Sequence, residues 1–240
     1  MKVVVGTEKE ISKQIAEEFI KQVQKKPNSV LGLATGTSPL GVYANLVKAN
    51  KEGRVSFKDV ATFNLDEYIG LEGTHNQSYR YFMNTNLFDH IDINKEKTHV
   101  LKGVGDYLDY ANKYDALIAS FGGIDLQILG IGSDAHIAFN EPGTAFDSLT
   151  HVAELAESTI VDNSRLFDDI SEVPTKAVTM GLKSIMNAKK IVLIATGKNK
   201  AKAIYALLKG PKSVDCPASI LQDHPDCTIY CDEEAYALVK

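Results

Sequence analysis

Four times along this chain a short apolar run ends in a turn of glycine, hydroxyl or ionisable residues. The runs are Val30–Leu33, Val60–Leu65, Leu126–Leu129 and Ile191–Ala195. Each is too short for a buried helix and is bounded by turn residues, so each predicts a buried strand. Helical patterns lie between them. Thr7-Glu8-Lys9-Glu10 matches a capping box, with Ile11, Ile15, Phe19 and Val23 following at helical spacing. Pro39 stands where a helix can start, ahead of Leu40, Tyr43, Leu46 and Val47. Residues 77–88, 106–120 and 198–209 also read as helices, Thr98–Leu101 as a brief strand, and Thr228–Cys231 as a late strand before a short C-terminal helix. Such alternation predicts an α/β fold, doubly wound, with a largely parallel sheet and helices on both faces.

No repeat or linker divides the chain, so residues 1–240 are expected to form a single domain. From about 140 to 175 the periodicity weakens around Gly143, Ser148, Asn163, Ser164 and Pro174. That stretch is either a mobile lid or an ordinary surface excursion.

A net charge of −5 and the lack of any Lys/Arg block argue against nucleic-acid binding. Cys216, Cys227 and Cys231 fit neither a zinc framework nor a redox pair, and so sparse a set suits a reducing cytoplasm. The apolar run at Val3–Val5 is too short for a signal peptide, and no stretch reaches the roughly 18 apolar residues of a membrane span.

The strand ends carry the chemistry. After Leu33 comes Ala34-Thr35-Gly36-Thr37-Ser38-Pro39, a glycine and hydroxyl loop opening a helix. Such a loop can cradle an anion with backbone N–H groups, or it is simply a capped turn. It is neither a Walker A loop nor a dinucleotide fingerprint. After Phe63-Asn64-Leu65 come Asp66 and Glu67. A carboxylate there can be desolvated into a useful base, whereas a solvated Asp-Glu turn does no chemistry. On an extended chain the two point to opposite sides, so at most one faces a site. After Leu129 comes Gly130-Ile131-Gly132-Ser133-Asp134-Ala135-His136, with Glu141 five residues on. Carboxylates beside imidazole hold its tautomer and stabilise its cation. With no second histidine nearby in sequence, a metal site is not expected. After Ala195, Thr196-Gly197-Lys198-Asn199-Lys200 puts lysines at a helix start, where an anion or solvent must offset the dipole. Arg165, in the suspected lid, offers a forked phosphate contact.

In these motifs the chain resembles the glucosamine-6-phosphate deaminases. The matching residues are Thr35-Gly36-Thr37, Phe63–Tyr68, Asp134–Pro142 and Thr196–Lys200, spread over most of the chain. One departure is Ala135, where that family usually has glycine; if φ is positive there, alanine is strained. The resemblance implies a Rossmann-like fold and conversion of glucosamine 6-phosphate and water to fructose 6-phosphate and ammonia. It implies no cofactor and no catalytic metal, with the sugar phosphate as the small-molecule partner. By the same resemblance His136 opens the sugar ring, Asp134 and Glu141 orient it, and Asp66 moves the C2 proton to C1. Thr35, Gly36, Thr37, Arg165 and Lys200 hold the phosphate. Similarity to the shorter members of that family implies an unregulated monomer.

Two rivals share the superfold. In 6-phosphogluconolactonases the residues after the histidine differ from Phe139-Asn140-Glu141-Pro142. A sugar-phosphate sensor of a transcription regulator is expected to carry a DNA-binding segment, for which the stretch before the Thr35 loop leaves no room.

Overall fold

The computed structural model describes Met1 to Lys240 apart from residues 165, 166, 168, 170 and 171. The first half of the chain forms β1 (Lys2–Val5), α1 (Glu8–Lys25), β2 (Val30–Leu33), α2 (Leu40–Lys51), β3 (Ala61–Asn64), β4 (Asp66–Tyr68) and α3 (Tyr79–Asn86). Then come β5 (Thr98–His99), α4 (Tyr107–Ser120) and β6 (Leu126–Leu129). The rest forms β7 (His151–Glu154), α5 (Glu157–Ser164), β8 (Lys176–Thr179), α6 (Leu182–Met186), β9 (Ile191–Ala195), α7 (Ala201–Lys209) and β10 (Cys227–Cys231).

The capping box predicted for α1 is present: Thr7 Oγ accepts the Glu10 N–H, and Glu10 accepts the Thr7 N–H. Ile11, Ile15, Phe19 and Val23 are all buried beneath it. These residues join the aliphatic faces of β2, β6, β9 and β10 in one large core cluster.

Seven strands form the main sheet in the order β1-β10-β9-β6-β2-β3-β5, and every pairing is parallel. From β2 the chain steps outward to β3 and β5, returns beside β2 as β6, then steps the other way to β9 and β10. Right-handed crossovers in opposite directions send helices to opposite faces. The reversal lies between β2 and β6, and ligands of open α/β sheets bind at the carboxyl ends of strands at such a point. Because β9, β6, β2 and β3 are contiguous and parallel, all four chemistry-bearing turns emerge along one edge.

Several elements differ from the sequence-based expectation. A second, antiparallel sheet of β4, β8 and β7 branches from the end of β3, and β1 joins the main sheet beside β10. Tyr68, Leu71, Phe139, Ala153, Leu155 and Ala177 form a separate apolar cluster on the small sheet. The expected C-terminal helix is instead a series of turns over residues 233–239. The strand expected over Thr98–Leu101 is limited to Thr98–His99, and the helix over 198–209 begins as a 3-10 turn, Lys198–Lys200. Within the stretch 140–175 the described residues include β7 and α5. No helix among the described residues is long and apolar enough to cross a membrane.

Candidate active site

The turn after β6 is built around His136. Its carbonyl accepts the Gly132 N–H at 2.9 Å, and its own N–H is donated to Asp134 Oδ1 at 3.1 Å. A Cβ on Gly132 would lie 2.3–2.5 Å from three ring atoms of His136, so only glycine lets the imidazole fold over the strand end. To close this turn Ala135 takes a φ of 68° and Ala138 a φ of 52°, in the left-handed region where side chains are strained. Ala135 is buried, and its carbonyl accepts the Ala218 N–H at 3.0 Å.

His136 Nδ1 lies 2.7 Å from Asp134 Oδ1 and 3.3 Å from Glu141 Oε2. Both carboxylates address the same ring nitrogen, which leaves Nε2 for a ligand. Burial acts to lower the His136 pKa, but the two carboxylates outweigh it and push it up to about 9. For Asp134, burial acts upward and pairing with His136 prevails, holding the carboxyl well below its usual range. The ligand atoms of Asp134, His136 and Glu141 fall within 4.8 Å of one another, the grouping among the described residues with metal-like spacing. These atoms lie at ion-pair distance from one another around the imidazole.

Asp66 begins β4 and is 7% exposed. Among the described residues no donor hydrogen-bonds its carboxylate. Burial and the neighbouring Glu67 charge push its pKa up to about 8, with the His136 cation acting in the opposite direction. Glu67 turns the other way, as alternation on an extended chain requires. Its Oε1 accepts the N–H groups of Tyr68 and Tyr79, both at 2.9 Å, and its Oε2 that of Arg80 at 3.0 Å. Of the adjacent pair, Asp66 is therefore the one electrostatically coupled to the histidine.

At the end of β2, Tyr43 of α2 fastens the anion-loop candidate. Its hydroxyl accepts the Ala34 N–H and donates to the Ala34 carbonyl. Gly36 has a φ of 87°, which turns the chain into α2. Among the described residues, the N–H groups of Thr35, Gly36 and Thr37 donate to no protein acceptor. At the end of β9, Gly197 has a φ of 89° and donates its N–H to Asp232 Oδ2, and Lys200 is half-buried at the start of α7. Arg165 lies outside the described residues.

The supporting roles of three residues were not read from the sequence. Thr179 Oγ accepts the Phe139 N–H at 3.1 Å, and Asn140 Nδ2 donates to the carbonyls of Ile137 and Met180. The contacts with Thr179 and Met180 staple the histidine loop to the end of β8. Their partners lie about 40 residues apart in sequence, and only the crowding of Gly130 and Gly132 into the third turn hinted at the third, Gly132.

A family model described as glucosamine-6-phosphate isomerases/6-phosphogluconolactonase matches residues 6–230. A glucosamine-6-phosphate deaminase of Thermoanaerobacter pseudethanolicus is 52% identical over 241 residues, covering 100% of this chain and 95% of that one. A deaminase of the same name from Lachnoclostridium phytofermentans is 53% identical, covering 96% and 99%. Among solved structures, a monomeric glucosamine-6-phosphate deaminase superposes with a TM-score of 0.96 at 43% identity, covering 99% of this chain and 100% of that one. A 6-phosphogluconolactonase from Trypanosoma brucei, 18% identical with a TM-score of 0.79 over 100% and 98% of the two chains, shares the fold.

Proposed function

The chain belongs to the glucosamine-6-phosphate isomerase/6-phosphogluconolactonase family, and from that membership we propose that it deaminates glucosamine 6-phosphate, giving fructose 6-phosphate and ammonia. The observation that carries the reading is the pairing of two differently tuned acid–base groups. A buried carboxyl, Asp66, sits within electrostatic reach of an imidazole braced by Asp134 and Glu141. Aldose–ketose isomerisation needs this division of labour, one group for ring opening and another for carbon acid chemistry.

In this reading the phosphate sits at the unspent N–H groups of Thr35, Gly36 and Thr37, with Lys200 and Arg165 adding positive charge. That contact is remote from the reacting carbons, so its binding energy serves to position them. His136 then gives its Nε2 proton to the ring oxygen O5 and takes the O1 proton, which opens the ring. Asp134 and Glu141 hold the imidazole in one tautomer and stabilise its cation during the exchange. Asp66, ionised, removes the C2 proton of the open-chain amino sugar and returns it to C1. The enolamine so formed becomes an imine at C2. Water adds to that imine and ammonia leaves, which balances the reaction. No redox cofactor enters these steps. Residues 1–240 act as one catalytic unit in this reading, working as a monomer in the cytoplasm.

Offering glucosamine 6-phosphate and 6-phosphogluconolactone side by side tests the assignment. Ammonia from the first, without lactone hydrolysis above background, supports it. Turnover of the lactone alone moves the chain to the other branch of its family.

A further inference from the structure

We infer that Glu67 is the positioning residue of this site: its carboxylate, clamped on the first N–H groups of α3, holds Asp66 on the opposite face of β4 toward His136. The inference builds on the catalytic reading of Asp66 and adds a role for the neighbour that makes no contact with the reacting atoms.

The backbone accounting at the start of α3 shows how firm the clamp is. The first N–H groups of a helix have no partner within it. Here Tyr79 and Arg80 donate to the two oxygens of Glu67, Tyr81 donates to the hydroxyl of Ser78, and Phe82 donates to the Ser78 carbonyl. Every one of the four is satisfied, two of them by a residue 12 and 13 positions earlier. A carboxylate is also favoured at this end of the helix dipole. Glu67 is 1% exposed, so no water competes for it.

The clamp adds to the pairing of β4 with β8, which spans only the three residues of this strand. Side chains alternate along a strand, so a slip of one residue would exchange Asp66 and Glu67 between faces. In the observed register Asp66 stands opposite Thr179 and Glu67 opposite Val178. Anchoring Glu67 on α3 makes that exchange incompatible with two hydrogen bonds at once.

The same residue also acts on Asp66 through its charge. Burial pushes Glu67 up to about 7 against the pull of the three N–H groups and of Arg80. Asp66 and Glu67 thus titrate as a coupled pair, in which the clamped member ionises first and makes the second ionisation harder. The other groups acting on Asp66 are His136 from the turn after β6, Tyr68 on its own strand, Tyr79 on α3 and Tyr114 on α4. The tyrosines stay neutral near pH 8, because burial raises all three further. Glu67 is therefore the one group in this set that adds negative charge beside Asp66 in the working pH range.

The test compares Glu67→Gln, Glu67→Ala and Ser78→Ala with the wild type. Asp66 is titrated by carbon NMR of labelled carboxyl groups, and kcat and KM are followed against pH. Glu67→Gln keeps one acceptor oxygen and removes the charge. It is expected to move the Asp66 titration down by about one pH unit or more, with the acidic limb of activity following. Glu67→Ala is expected to lower kcat by about 10- to 100-fold with little change in KM, and Glu67→Gln to recover most of that loss. Ser78→Ala removes the other cap of the same helix and is expected to lower stability without moving the Asp66 titration. An Asp66 titration unchanged in Glu67→Gln, or shifted equally in Ser78→Ala, would reduce Glu67 to a helix cap and overturn the inference. The NMR titration needs no substrate. A wild type that releases no ammonia would therefore defeat the proposed activity while leaving the positioning of Asp66 by Glu67 intact.

Discussion

Asp66 and Thr179 are register partners in the small antiparallel sheet, and the same threonine hydroxyl accepts the backbone N–H of Phe139. One residue of β8 therefore ties the strand that carries the buried carboxyl to the loop that carries His136. Met180 adds to the tie: its N–H is donated to the Leu65 carbonyl, and its own carbonyl accepts from Asn140. The small sheet acts as a frame that sets the distance between two groups arising from different strands of the main sheet.

Thr179→Val preserves the shape of that side chain and deletes the acceptor. The buried Phe139 N–H is then left without a partner, at a cost of about 1–3 kcal/mol. Urea unfolding should show this loss, and kcat should fall more than KM rises. Unchanged stability would mean that Phe139 finds another acceptor and that the tie is dispensable.

Gly132→Ala is expected to be more damaging to activity than to folding. The added methyl would occupy the space of the His136 ring, which must rotate away from Asp134 and Glu141. A loss of about 100-fold or more in kcat is expected, with the loop at Thr35 unaffected. The check is kinetic, combined with the imidazole resonance of His136: an unshifted resonance with normal kcat would contradict the packing.

Ala135→Gly should relieve the strain at a φ of 68°. The gain, reduced by the lost burial of one methyl and by glycine's extra freedom when unfolded, is about 0.5 kcal/mol. A modest rise in Tm with activity retained is expected. A lower Tm would show that the buried methyl outweighs the backbone strain.

Asp66→Asn separates stability from catalysis. The folded carboxyl titrates near 8 and its ordinary value is 3.8, so its contribution to stability is fully present below about 4 and is lost as pH rises toward 8. His136 has the same sign at higher pH: raised from 6.5 to about 9, it stabilises the fold below 6.5 and ceases to as pH passes 9. Asparagine has no charge to bury. At pH 8 the variant should be more stable than the wild type by about 2–4 kcal/mol, and it should lose nearly all turnover. Denaturation across pH 5 to 9 checks the first expectation. Parallel pH dependences in the two proteins would mean that Asp66 is ionised in the fold at little cost.

The inner strands of the main sheet were legible because they are continuous apolar runs ending in distinctive turns, whereas the strand order that brings the four turns together, and β1 beside β10, were not. The small sheet was not. Asp66-Glu67-Tyr68 reads as a polar turn, and β7 shows only one buried residue in four. What makes these segments strands is their pairing with β8, a tertiary effect that local pattern does not carry. At the site, the ionisable groups were visible as residue types at strand ends. The alternation rule limited the Asp66–Glu67 pair to one residue per face, but that Glu67 is the one taken up by α3 depended on where that helix begins in space. Gly132 illustrates the remaining gap, since its need for a missing side chain arises only when the His136 ring folds back over it.

The central claim is that Asp66 carries hydrogen from C2 to C1 while the amine leaves as ammonia. Glucosamine 6-phosphate deuterated at C2, incubated with the protein in water containing EDTA, tests it most directly. The expected result is equal release of ammonia and fructose 6-phosphate, a slower rate than with unlabelled substrate, and part of the deuterium recovered at C1. Neither product forming, or both forming with no isotope effect and no label at C1, would contradict the account.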